Sequence, residues 1–100
     1  MVIYSVTVAV DPSIVDAWID YMKKEHIPDV LKTGCFLEFT FCRVIGNSEE
    51  NKNSYNIQYH CHGMADMHRY QVQFGPALQQ EHIKLFGDKA VAFRTLLEEI

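Results

Sequence analysis

The sequence predicts an α+β domain with one antiparallel sheet of four strands and two helical regions on one of its faces. Three observations predict it. Four segments alternate apolar and polar residues at strand period: Val2 to Val10, Cys35 to Ile45, Ser54 to Cys61 and Ala90 to Leu97. Between them, Ile14, Trp18, Met22 and His26, and later Tyr70, Phe74, Leu78 and His82, fall four apart at helical period. The two helical regions also echo each other, each running into Glu-His-Ile, at Glu25-His26-Ile27 and Glu81-His82-Ile83. The order βαββαβ is that of the split βαβ, or ferredoxin-like, arrangement. The right-handed crossover rule then gives the spatial order fourth, first, third, second, with the first and third strands central.

The first strand carries Val2, Tyr4, Val6, Val8 and Val10 on one face and Ile3, Ser5, Thr7 and Ala9 on the other. Asp11-Pro12 ends it and starts a helix: Asp11 caps free amides, and Pro12 suits a first helical position. That helix runs from about Pro12 to His26. Pro28 disfavours helix at Ile27, so a break is expected there, followed by a short turn carrying Val30 and Leu31. Gly34 is placed to end that turn in a left-handed conformation.

In the second strand Cys35, Leu37, Phe39 and Phe41 share a face, and Phe36, Glu38, Thr40 and Cys42 the other. Gly46 to Asn53 reads as an exposed hairpin loop. The third strand presents Tyr55, Ile57, Tyr59 and Cys61 against Asn56, Gln58, His60 and His62. Gly63 to Leu85 is the second helical region, with a kink expected at Gly75-Pro76 and a terminator at Gly87. The last strand sets Val91, Phe93, Thr95 and Leu97 against Ala92, Arg94 and Leu96.

Two helices cover one face. The richer rows, with Phe93 among them, are expected beneath the helices. The other face then shows Ile3, Ser5, Thr7, Phe36, Glu38, Thr40, Gln58, His60, Arg94 and Leu96. Phe36, Ile3 and Leu96 together would make an apolar patch, and the sheet would have two open edges. Pairing with a second copy covers both, so a homodimer is expected, with Ile3, Phe36, Glu38, Thr40, His60 and Arg94 at its interface and an Arg94–Glu38 contact between subunits.

One hundred residues make a single domain, spanning 1–100. The net charge of −4 and the absence of a basic patch argue against a nucleic-acid partner. No apolar run reaches the roughly 20 residues that span a bilayer, and no charged leader with an apolar stretch precedes Val2, so neither a membrane nor secretion is expected. Cys35, Cys42 and Cys61 form no C-x-x-C, which fits reduced thiols in a cytoplasmic protein and neither a disulfide framework nor a zinc site.

The chemistry-bearing residues are few. His26 and His82 end their apolar stripes and read first as structural half-buried histidines, then as pocket lining, and last as catalytic groups. Antiparallel helices would put them at opposite ends of the domain, so no dyad within one subunit is expected. Tyr4, Trp18, Tyr59 and Tyr70 are core aromatics that could also line a cavity for a flat apolar molecule. His60 and His62 lie two apart on a strand, but without a carboxylate the metal set is incomplete, so no metal is expected.

The chain resembles the small bacterial proteins grouped as domain-of-unknown-function family 4286. The matching stretches are V-I-Y-S-V-T-V-A-V-D at 2–11, Trp18 with Met22, E-H-I-P at 25–28, T-G-C-F at 33–36 and I-Q-Y at 57–59. Then come Y-Q at 70–71, F-G-P-A-L-Q at 74–79, E-H at 81–82, F-G at 86–87 and F-R-T-L-L-E at 93–98. The resemblance implies membership of the wider dimeric α+β barrel group, which includes cofactorless monooxygenases, haem-degrading enzymes and chlorite dismutases. The family itself has no assigned activity. The expected role is therefore a homodimeric binding or structural protein that needs no cofactor, with Tyr4, Trp18, His26, Tyr59 and His82 as candidate ligand-binding residues for a small hydrophobic or aromatic molecule. The alternatives are a cofactorless oxygenase or isomerase, or a haem binder using His26 or His82.

Overall fold

β1 (Val2–Val10) runs through the middle of the sheet because its Val-rich row packs against the helices while its backbone pairs on both edges. It pairs antiparallel with β3 (Ser54–Cys61) and with β4 (Ala90–Glu98), and β2 (Glu38–Arg43) pairs antiparallel with β3. The order is β2-β3-β1-β4, as the crossover rule predicts. The computed structural model describes residues 1–46 and 53–100. Residues 47–52 of the expected hairpin loop lie outside these.

Asp11 caps the first helical region by accepting from the Ser13 amide at 2.9 Å. A 3-10 turn (Pro12–Ile14) leads into α1 (Val15–Tyr21). The break expected at Ile27 does not occur: a π-helical turn (Met22–His26) joins α1 to α2 (Ile27–Lys32) in one continuous run. Pro28 has no N–H and its ring would crowd the carbonyl four residues back in a regular helix. The wider turn, in which the Ile27 amide bonds to the Met22 carbonyl, lets the chain pass this point while still helical. His26 therefore sits in the middle of a long helical run and not at its end. Gly34, at φ 76°, ends the run as expected.

The second helical region divides where Gly75-Pro76 predicts, into α3 (Met64–Gln73) and α4 (Gly75–Phe86). A Cβ at Gly75 would lie 3.3 Å from both the ring and the carbonyl oxygen of Tyr70, so the close approach at this corner favours glycine. Gly87, at φ 57°, ends α4. Among the described residues no helix is long and apolar enough to cross a membrane.

The core lies between helices and sheet around Trp18, Tyr59, Ile57, Met67, Val8, Val30 and Cys61. Two strand-face expectations are corrected. Phe36 is buried in the core and stacks with Tyr4, Tyr59 and Tyr70 at ring-centroid distances of 5.0 to 6.1 Å. It precedes the first residue of β2, so period-two alternation does not govern it. In β4 the faces are exchanged. Arg94 pairs in register with Val6 and Ala92 with Val8, which puts them on the helix side with the Val row. Leu96, in register with Tyr4, shares that side. Val91, Phe93 and Leu97 lie on the uncovered face, 44%, 63% and 42% exposed. Both rows of β4 contain apolar residues, so alternation alone could not orient it.

The uncovered face also carries Ile3, Glu38, Thr40 and His60, as expected. Glu38 and His60 are register partners with a 3.9 Å ion-pair distance, and Asn56 donates to the hydroxyls of Ser5 and Thr7 at 3.0 and 3.1 Å. Arg94 and Glu38 occupy opposite faces, which removes the basis for a contact between them across this face.

Candidate functional site between helices and sheet

Trp18 points inward from α1, and its Nε1 donates to Nε2 of His82 on α4 at 2.9 Å. Both rings are buried, Trp18 completely. A neutral imidazole that accepts at Nε2 carries its proton on Nδ1, so Trp18 selects that tautomer. Tyr21, one turn below Trp18, donates to Glu81 at 3.1 Å. These two bonds tie α4 to α1. The neighbouring pair Glu81-His82 thus divides its work: one side chain latches the rim and the other enters the interior.

His26 meets His82 with ring centroids 5.8 Å apart. This corrects the expectation that one subunit could not bring them together. That expectation assumed two straight helices with histidines at their ends. Instead His26 is mid-helix, and α4 starts a new direction at Gly75-Pro76. Tyr21 packs against both imidazoles, at 5.9 and 6.4 Å.

A narrow cavity opens beside the pair, lined by residues including Tyr4, Met22, His26, Tyr59, Tyr70, Gln79, His82 and Arg94. Its volume of about 30 Å³ admits one or two waters, since one buried water needs roughly 10–15 Å³. Two buried polar atoms of the lining residues have no hydrogen-bond partner among the described residues, Nδ1 of His26 and the hydroxyl of Tyr59. Buried polar atoms are nearly always paired, so these two are the exception that marks the site. A wider groove of about 210 Å³ adjoins the cavity between α4 and β4 and shares His82, Ala92 and Arg94 with it.

Burial dominates the electrostatics. It pushes the His26 pKa down to about 4, and His82 adds a smaller push in the same direction. His82 is lowered too, by burial and then by the Arg94 charge. Burial raises Tyr59 and Tyr70, and raises Tyr4 against the opposing pull of Arg94, whose Nε donates to the Tyr4 hydroxyl at 3.1 Å. At neutral pH the site therefore holds two neutral imidazoles, three neutral phenols and one guanidinium. A neutral imidazole has one acceptor nitrogen: that of His82 is taken by the Trp18 N–H, whereas His26 has a ring nitrogen with no partner among the described residues, which is what a general base requires.

Of the ligand-binding candidates, Tyr4, His26, Tyr59 and His82 all line the cavity. Trp18 stands behind them and orients His82. Sequence reasoning missed Gln79 and Arg94. Gln79 lies three residues before His82 on the same helix, a spacing that puts both on one face and could have flagged it. Arg94 lies on the face opposite to the one that alternation predicts. Among the described residues no three His, Cys, Asp or Glu side chains gather as a metal-binding group.

No curated protein matches the chain in sequence. Solved structures match it in fold. SnoaB, a cofactor-independent oxygenase from Streptomyces nogalater, is 13% identical with a TM-score of 0.65, covering 98% of this chain and 91% of that one. A dimeric ferredoxin-like protein from an uncultured marine organism is 16% identical with a TM-score of 0.59, covering 99% and 96%. MhuD, solved with two manganese protoporphyrin IX per active site, is 16% identical with a TM-score of 0.69, covering 100% and 95%. At such identities the likeness establishes a shared ferredoxin-like fold, on which function varies freely. The model of the family described as Domain of unknown function (DUF4286) matches residues 1–100, so the chain belongs to that family.

Proposed function

We propose that this protein is a homodimer that binds a small, flat, largely apolar molecule in each subunit. The polar tip of the ligand enters the cavity between His26 and Tyr59, and its apolar body lies in the groove between α4 and β4. The observation that carries this reading is the pair of unpartnered buried polar atoms, His26 Nδ1 and Tyr59 Oη, around one cavity. Left unpaired, each would cost about 1–3 kcal/mol, so the cavity calls for a polar group there, supplied by water or by the tip of a ligand.

Titration with phenol and indole, followed by NMR, tests the site. Resonances of His26 and Tyr59 should shift together, and Tyr59→Phe should weaken phenol binding about ten-fold by removing one hydrogen bond. Without ligand, Tyr59→Phe should leave stability unchanged or raise it by up to about 1 kcal/mol, since the hydroxyl it removes has no partner. Absence of any shift at millimolar phenol would end the proposal.

The dimer rests on the uncovered face. Val91, Phe93 and Leu97 form an exposed apolar row along β4, beside Ile3 on β1. Phe93→Asp places a charge in that row and should yield a monomer by sedimentation. A wild-type chain that already sediments as a monomer would contradict the pairing.

A second reading, proton-transfer catalysis without a cofactor, is favoured by His26 itself: a half-buried imidazole, neutral at neutral pH, with a ring nitrogen at the cavity that has no partner among the described residues. Haem ligated by His82 does not fit this site. Neither the cavity nor the groove accommodates a porphyrin, and Nε2 of His82 is already occupied by Trp18.

A further inference from the structure

We infer that the ligand of this site is an anion, a small apolar carboxylate whose acid group is held by Arg94. The inference rests on the ligand-binding reading above and adds the charge of what is bound. Arg94 stands at the junction of the two spaces, lining both the cavity and the adjoining groove. Its Nε donates to the Tyr4 hydroxyl, which fixes one side of the guanidinium plane. A guanidinium has five N–H donors in a planar fork that matches a carboxylate, so the terminal amino groups are left to offer. Among the described residues no carboxylate pairs with Arg94, and no acidic side chain lines either space.

The lack of an acid is informative in this chain, which has thirteen Asp and Glu against nine Lys and Arg. Arg94 is exposed at the edge of the sheet, bonds to the Tyr4 hydroxyl and lines the cavity with the two imidazoles. A cation would be repelled by Arg94 and would meet no acidic side chain among the described lining residues. A neutral molecule would leave the guanidinium fork unused. An anionic tip would pair with it, while the walls formed by Ile83, Ala90 and Ala92 receive an apolar body.

Calorimetry with phenylacetate and its neutral isostere phenylacetamide, at low ionic strength, tests this on the full chain. Phenylacetate should bind wild-type protein at least about ten-fold more tightly than the amide, the scale of a charge-assisted hydrogen bond. Arg94→Gln should abolish the preference while amide binding persists, which shows that the variant is folded. Arg94→Lys should keep part of it. If phenol binds but the acid binds no better than the amide, the anionic ligand is overturned and the cavity reading stands. A preference that survives in Arg94→Gln also overturns it. If phenol, acid and amide all fail to bind, both readings fall.

Discussion

Trp18→Ala should destabilise the protein by about 3–5 kcal/mol, the range for truncating a large buried aromatic. Trp18 is completely buried and packs on Phe41, Tyr55 and His82 at ring distances of 5.8, 5.3 and 6.5 Å. Its loss leaves a void and also strips His82 Nε2 of its donor inside the core. For a domain of this size that amounts to a drop in melting temperature of roughly 15 °C or more. Trp18→Phe separates the two effects: it keeps much of the packing and removes only the indole donor, and should cost about 2 kcal/mol, mostly from the unpaired nitrogen. Urea unfolding of both variants measures this. A cost below about 1 kcal/mol for Trp18→Ala would mean that α4 is not anchored through His82.

Stability should fall as pH is lowered from about 6.5 to about 4, with a loss approaching about 3 kcal/mol from His26. The sign follows from proton counting. Unfolded, His26 takes up its proton near 6.5; folded, it resists until about 4. In that window the unfolded state binds more protons, so acid favours it. The contribution is fully present above 6.5 and is lost as pH falls toward 4. His82, also lowered, adds in the same direction. Urea midpoints measured across this window should slope upward with pH, and His26→Leu should flatten most of the slope. An equally steep slope in His26→Leu would place the responsible group elsewhere.

Much of the fold was legible because local rules and tertiary demands agreed. The Val row of β1 could face only the helices. Ser54 to Cys61 could be only a strand, Gly75-Pro76 only a corner, Gly34 and Gly87 only helix ends. Four of the residues around the cavity were legible for the same reason: they are aromatic or imidazole side chains on inward-facing rows. Legibility failed where two local readings had similar strength. Pro28 signals a break, and a π-turn four residues earlier answers it. Both rows of β4 are apolar enough to be core, so Arg94 and Phe93 were exchanged. Phe36 lies just outside the strand, so the alternation of β2 does not place it.

The sequence by itself determined the element order, the topology of the sheet and the identity of the buried aromatics. These follow from periodicity and turn chemistry, which act between near neighbours. Only the tertiary structure decided that His26 meets His82, that Trp18 sets the imidazole tautomer, and that Arg94 closes the cavity. Those contacts depend on where α4 is aimed after its corner and on which side of β4 faces inward. Both are settled by packing between segments more than fifty residues apart, for which no local pattern exists.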